Sequence, residues 1–219
     1  MASPASAQRL AAEHGLRVST DPGEAWAAPL VLLAVKPQQL EVAAAQAAQA
    51  AESHGQSRSM APLLISVLAG VSLTRLQSLF PGRRIVRAVP NTPALVRAGL
   101  TALAWGEGVS APQQQWVRSL FAQVGEVLEL PEQQLDAFLA LTSSGPAFLA
   151  LVAEAMADGA VAAGLPRALA HHLAHRTLAG TAALLHEQEL HPGQLKDMVS
   201  SPAGTTIAGL RELERAGLR

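Results

Sequence analysis

The sequence predicts an α/β half followed by an all-helical half, with the change falling near Leu130. Three observations carry this. Apolar runs of strand length recur before that point, each separated from the next by a stretch of helix formers. After Pro131 no such run returns, and each remaining segment has the length and composition of a helix. No internal repeat or low-complexity linker interrupts either half.

The elements follow in order. Ser3 with Pro4 caps a short helix ending at Gly15, and residues 16–19 read as a brief strand. Residues 29–35 (PLVLLAV) are continuously apolar, which suits a parallel strand covered on both faces. Residues 38–53 are rich in Ala and Gln, with Gly55 as the stop. Residues 63–68 (LLISVL) repeat the buried-strand pattern, Ser72 caps a helix through Phe80, and 85–89 (IVRAV) form the next strand. Residues 100–105 and 125–130 add two strands around a helix at 111–124. Such strand–helix–strand units imply right-handed crossovers and an open, mostly parallel sheet. Helices then occupy 132–141, 146–163, 167–189, 192–199 and 205–215, with short breaks at 143–146 (SSGP) and 164–166 (GLP). The domains are therefore 1–130 and 131–219. Two long apolar-lined helices in so small a chain call for a partner on their outer face, which points to dimerisation through the helical half.

Composition narrows the function. With a formal charge of −1, nothing draws the chain to nucleic acid or to an anionic membrane. The absence of cysteine excludes disulfides, thiolate catalysis and cysteine metal sites. Residues 1–10 have neither a basic start nor an apolar run, so they are no secretory signal. The longest apolar stretch, 147–165, carries Glu154 and Asp158 and reads as a buried helix, not a membrane span. The expectation is a soluble, cytoplasmic protein.

Ligands of an open parallel sheet bind beyond the carboxyl ends of its strands. The run 29–35 delivers Ala34-Val35-Lys36-Pro37 to that edge, which by itself reads as an ordinary strand exit with a turn proline. The next strand exits at Ala69-Gly70, where small residues permit close backbone approach. Val89-Pro90-Asn91-Thr92-Pro93 is a stiff loop, equally a pocket wall or a structural turn. The sharpest constellation is Ser200-Ser201-Pro202-Ala203-Gly204-Thr205-Thr206 directly before a helix. Hydroxyls, a glycine and free backbone N–H groups at a helix start suit a carboxylate or phosphate, and four hydroxyls exceed what capping needs.

Other signals are weaker. Residues 106–111 (GEGVSA) match a dinucleotide pattern by letter, but the strand before them comes late in the sheet and they read as a solvent turn. His171, His172 and His175 have helical spacing without a carboxylate to complete a metal site. Glu154 and Asp158 need no catalytic explanation.

Five segments carry a resemblance. AVKPQ (34–38), VPNTP (89–93), SSGPAF (143–148), DGAVAAGLPR (158–167) and HPGQLKDMVSSPAGTTIAGL (191–210) are similar, in family order, to pyrroline-5-carboxylate reductases. The resemblance implies a Rossmann-type domain for NADPH or NADH and a helical domain that dimerises. The reaction would be reduction of 1-pyrroline-5-carboxylate to L-proline, the last step of proline biosynthesis. The resemblance places Ala34, Val35, Lys36 and Pro37 along the nicotinamide ribose, with Ala69 and Asn91 nearby. It matches Ser3 to a residue that meets the adenosine ribose or its 2′-phosphate. It gives Val199, Ser201, Gly204, Thr205 and Thr206 to the carboxylate and ring nitrogen of the cyclic imino acid, with Glu132 near that pocket. Thr206 would orient the nitrogen. A related imine or hydroxyacid dehydrogenase fits less well, because those families lack the SSPAGTT segment.

The pattern also departs from the family, which opens with a strand, a glycine-rich turn, a helix and a second strand. The 219 residues start at the end of that second strand, so the Rossmann-type sheet is expected to be truncated, and the family's closing helix is absent as well. Ala203 stands where the family has glycine. The alternative function is an inactive family member that keeps only the helical dimer. The glycine turn and its helix contribute charge-assisted hydrogen bonds to a pyrophosphate, each worth roughly 1.5–3 kcal/mol. These 219 residues alone are expected to bind NADPH about 3–6 kcal/mol more weakly than the same residues preceded by such a strand–turn–helix–strand. Fluorescence titration of both forms measures this, and equal affinities would refute it.

Overall fold

Local signals set the first elements as the sequence leads one to expect. The structure, a computed structural model, describes residues 3–53 and 61–218. Ser3 is the N-cap of α1 (Pro4–His14), and Gly15 closes the helix at φ 62°. Residues 16–19, expected as a strand, are irregular. A strand exists only by pairing, and no strand among the described residues lies beside them. Instead Asp21 Oδ1 accepts from Gly23 N at 2.9 Å and turns the chain into α2 (Gly23–Ala27). This helix, too short to show a period in sequence, buries Trp26 against Phe80 with ring centroids 5.6 Å apart.

Five strands form one sheet in the order β1 (Leu30–Leu33), β2 (Leu63–Ser66), β3 (Arg84–Pro90), β4 (Gly99–Trp105) and β5 (Gly125–Glu129). β1–β2, β2–β3 and β4–β5 are parallel, and their connections contain α3 (Leu40–Ser53), α4 (Leu73–Leu79) and α5 (Ala111–Phe121). Between β3 and β4 stands only a 3-10 turn, Thr92–Val96. A link so short cannot make a crossover, and this pair is antiparallel. Gly55, the expected stop of α3, lies outside the described residues.

Alternate residues of the inner strands point to opposite faces. Leu64 and Ile85 join Leu40, Ala44, Ala47 and Leu76 from α3 and α4. Ile65, Val86, Ala88 and Leu103 face Val117 and Phe121 of α5. β2 is buried at all four positions. β1 is not, because it is the edge strand: only Leu33 is buried and Leu32 is half exposed, contrary to the expectation of cover on both faces.

Gly99 and Gly125 face each other at the start of the β4–β5 ladder. A Cβ on Gly125 would lie 1.9 Å from Gly99 O, and Gly125 has φ 148°. The backbones meet there because neither residue has a side chain.

The chain divides into two compact units at residues 146 and 147, later than the pattern change near Leu130. The reason is α6 (Leu135–Thr142), whose Leu135 is fully buried with Val89, Ala102 and Ala104 of the sheet. By packing, α6 belongs with the strands.

The second unit contains α7 (Gly145–Ala162), α8 (Arg167–Glu187), α9 (Pro192–Val199) and α10 (Thr205–Arg215) and, among the described residues, no strand. Among its described residues only Ala153, Ala157, Ala170 and Ala174 are buried. Ala157, Ala170 and Ala174 form a seam between α7 and α8, flanked by the ion pair Asp158–Arg167. The stretch Glu132–Ala162 is long and apolar enough to cross a membrane by length and composition, with 11% of its most apolar window buried. This corrects the expectation of a buried helix. Within one chain Phe148, Leu149, Leu151, Val152 and Met156 of α7 remain exposed. So much contiguous apolar surface marks an interface.

Replacing Gly125 by Ala is expected to destabilise the first unit by roughly 3 kcal/mol or more, through overpacking added to backbone strain. Chemical denaturation measures it, and a loss below about 1 kcal/mol would mean that the ladder's entry yields.

Candidate functional site

Two places gather the sequence-marked residues, one in each unit. In the first unit β1 ends at Leu33 and the chain runs extended through Lys36 (φ −69°, ψ 144°) into a 3-10 turn begun by Pro37. Ala34 and Val35 form part of the wall of a groove of about 820 Å³ along the open edge of β1. Its other walls come from the segment 17–26 and from Val42, Ala43 and Gln46 of α3. Lys36 and Pro37 stand just beyond it, exposed. The volume lies within the range of small-molecule and cofactor pockets. At the β2 exit Ala69 is exposed and Gly70 has φ 72°, a turn that leaves the backbone bare.

Asn91 is tied to the fold. Its Nδ2 donates to Thr142 O at 3.0 Å, and its Oδ1 accepts from Leu100 N at 2.8 Å. Its side chain thus fixes the β3 exit loop to the end of α6 and the start of β4. Glu132 is tied as well: Oε1 accepts from Leu73 N at 2.6 Å and from Arg87 Nη1 at 2.7 Å. Ser3 Oγ accepts from Ser6 N at 3.2 Å and lies 3.1 Å from Ser6 Oγ. For Asn91 and Glu132 the structure supplies structural partners that sequence reasoning missed, whereas the Ser3 cap is the one expected.

Residues 106–108 form a turn. Gly106 N donates to Ile85 O at 2.8 Å, extending the β3–β4 ladder, and Gly108 has φ 73°. Nearby, hydrogen bonds from Arg118 and then Trp105 hold the Glu129 carboxyl below the usual range. The same contact with Glu129 raises the Arg118 guanidinium.

In the second unit His191 starts α9 with a capping box. Its Nδ1 accepts from Gly193 N at 3.0 Å, and Gln194 Oε1 accepts from His191 N at 2.9 Å. The loop after α9 runs from Ser200 to Gly204, where Gly204 N donates to Ser201 O at 3.0 Å. Gly204 is the N-cap of α10 and offers no side chain. The first N–H groups of α10, beginning at Thr205 and Thr206, therefore have no capping acceptor. Val199, Ser201 and Thr205 are exposed and Thr206 is half-buried. The Ser200 hydroxyl is buried without a partner. Gly204 also borders a cleft of about 650 Å³ between α9 and α10, lined by the cations Lys196 and Arg211 and equally by the carboxylates Asp197 and Glu214. Those two cations escaped sequence reasoning, because only the pairing of α9 with α10 brings them to one cleft. Unsatisfied N–H groups at a helix start suit a carboxylate.

Among the described residues no group of three or more His, Asp or Glu is placed to hold a metal. His171 and His175 lie one turn apart on α8, with tilted rings whose centroids are separated by 6.2 Å.

Comparison with known proteins gives these positions a context. Residues 132–219 match the family pattern for pyrroline-5-carboxylate reductase dimerisation. The chain is 49% identical over 207 residues to the pyrroline-5-carboxylate reductase of a Synechocystis species, covering 94% of this chain and 74% of that protein. It is 41% identical to the Methanosarcina acetivorans enzyme of the same name, covering 96% of this chain and 76% of that one. Among solved structures, 1-pyrroline-5-carboxylate reductase from Streptococcus pyogenes superposes with a TM-score of 0.86 at 31% identity, covering 99% of this chain and 80% of that one. A Plasmodium falciparum pyrroline carboxylate reductase with NADP bound gives 0.83 at 28%, covering 93% and 75%.

Ala203 has φ 58°, in the left-handed region. An L-residue there costs roughly 1–2 kcal/mol, part of which is regained because Ala restricts the unfolded chain more than Gly does. Ala203→Gly is therefore expected to stabilise the loop by about 0.5–1 kcal/mol. Thermal unfolding reads the gain, and a lower Tm would mean that the left-handed turn is not strained.

Proposed function

The chain belongs to the pyrroline-5-carboxylate reductase family, and from that premise we propose that it reduces 1-pyrroline-5-carboxylate to L-proline with NADPH or NADH. The observation that carries the reading is the identity of 49% over nearly the whole chain to a protein of that name. Bound NAD(P)H supplies the hydride. The cofactor-binding half is residues 1–130 and the substrate-binding and dimerisation half is 131–219. The start of the family match at Glu132 supports this division, although α6 packs with the sheet.

The chain's own residues hold and orient. The groove walled by Ala34 and Val35, next to Lys36 and Pro37, supports a nucleotide along the β1 exit. The bare turn at Ala69 and the loop held by Asn91 flank it in the sheet order. Ser3 stands at the N-terminus of α1, where a ribose hydroxyl or phosphate can approach the helix start. The N–H groups of Thr205 and Thr206, with Ser201, Val199 and Gly204, receive the substrate carboxylate. The Thr206 hydroxyl orients the ring nitrogen. A hydroxyl of ordinary pKa is a poor acid, so the nitrogen's proton comes from water or from a substrate already protonated. Catalysis is then mainly proximity and electrostatic positioning.

The exposed apolar face of α7 and the dimerisation match support a homodimer built through the helical half, alone or within a larger assembly. The partners are a small cyclic imino acid and a second copy of this chain, with no nucleic acid or membrane, and the compartment is the cytoplasm. The second reading, an inactive dimer module, is supported by the family pattern for dimerisation, which matches residues 132–219.

The test is turnover of the cyclic imine at millimolar NADPH, followed by loss of reduced nicotinamide and by proline formation. Dimers that make no proline would establish the second reading. Thr206→Val is expected to weaken binding of proline, used as a product probe, by about 1 kcal/mol or more, as for a hydrogen bond to a charged ligand. Unchanged affinity in a calorimetric titration would remove Thr206 from the site.

A further inference from the structure

Arg87 sits in the middle of β3 with 5% exposure, the only charged residue buried among those described. Its register neighbours are Ser66 on β2 and Ala104 on β4, and neither can answer a guanidinium. A buried cation without an anion is strongly unfavourable. Glu132 supplies the anion from 45 residues away, its Oε1 2.7 Å from Arg87 Nη1. That oxygen also accepts from Leu73 N, the first amide of α4. One carboxylate oxygen therefore ties the middle of β3 to the element that follows β2. The rear of the same connecting segment is tied too, through Thr142 O and Asn91 Nδ2. Between the two ties Leu135 seats α6 on the sheet. The segments so fixed adjoin strand exits at the carboxyl edge: Leu73 closely follows the Ala69-Gly70 exit of β2, and Asn91 directly follows β3. Ligands of an open sheet bind at that edge.

We propose that Arg87 and Glu132 are a positioning pair for hydride transfer, setting the spacing of the β2 and β3 exits against which the nicotinamide lies. This rests on the reductase reading above. It gives Glu132 a role through the fold, in place of contact with the imino acid.

The test uses Arg87→Met, Glu132→Gln, Arg87→Lys and the double variant Arg87→Met/Glu132→Leu in the full enzyme, assayed well below each Tm. The single apolar or neutral variants are expected to lower kcat and raise KM for NADPH, together costing roughly ten- to a hundredfold in kcat/KM for the cofactor. KM for the imino acid stays as in the unaltered enzyme, and Arg87→Lys recovers part of the loss. The double variant discriminates. Replacing both partners by apolar groups removes the stranded charge, so stability returns. The positioning role predicts that the kinetic defect persists there. Recovery of kinetics together with stability would show the pair to be structural only and overturn the proposal. A rise in imino-acid KM confined to Glu132→Gln would return Glu132 to the substrate site and overturn it equally. If the unaltered chain turns over nothing, the reductase reading fails. NADPH affinity in the same variants then decides the pairing: a loss retained in the double variant supports it, and unchanged affinity overturns it.

Discussion

The Glu132 carboxylate is the joint on which both the sheet's edge and the entry to the helices depend. Its Oε1 holds Arg87 from the inside of the sheet and Leu73 from the start of α4. A buried ion pair of this kind adds little net stability, because desolvation offsets most of the attraction. What it imposes is geometry. If Arg87 is to be solvated at all, the segment after β5 must come back over β3 and place Glu132 there. The following turn then lays Leu135 on Val89 and Ala102. This explains why α6 packs as part of the α/β unit while the family pattern for dimerisation begins at Glu132.

A second constraint is cover. The α/β unit carries its own core on both faces of the inner strands. The helical unit does not, since four alanines are all it buries among the described residues. Alanine lets helices approach closely but contributes little apolar area, so the seam orders α7 and α8 without stabilising them much. Leu, Phe and Met side chains that would form a core elsewhere face outward here. The two halves thus divide the work. One carries a core of its own, and the other presents apolar side chains suited to association.

Most elements were legible in the sequence because their signals are local. The caps at Ser3 and Ser72, the runs LLISVL and IVRAV, and the Pro192 and Thr205 helix starts each depend on a few neighbouring residues. What misled was whatever depends on a distant partner. Residues 16–19 have strand composition but no ladder among the described residues. β1 has the composition of a central strand but stands at the edge. At the site, the hydroxyl-rich loop before Thr206 was legible as a helix start, since such a start declares itself. The ties of Asn91 to α6 and of Glu132 were not, because Thr142 lies 51 residues from Asn91 and Glu132's partners lie 45 and 59 residues away. Polar residues at strand exits look alike in sequence whether they meet a ligand or the fold.

The anion loop itself shows what kind of chemistry it can do. From Val199 to Thr206 it contains hydroxyls, small residues and backbone, and no titratable side chain. A carboxylate received there is held by dipoles whose strength does not change with pH, which leaves the substrate's own nitrogen free to set the protonation state of the reaction. Reduction of a C=N bond suits such a site. The carbon becomes electrophilic when the nitrogen is protonated, so the protein needs to supply orientation and a fixed field in place of an acid of its own. The left-handed Ala203 fits this division of labour. Strain in a loop persists where surrounding structure over-determines its shape. Here Ala203 leads into Gly204, whose lack of a side chain leaves the first amides of α10 without a side-chain cap.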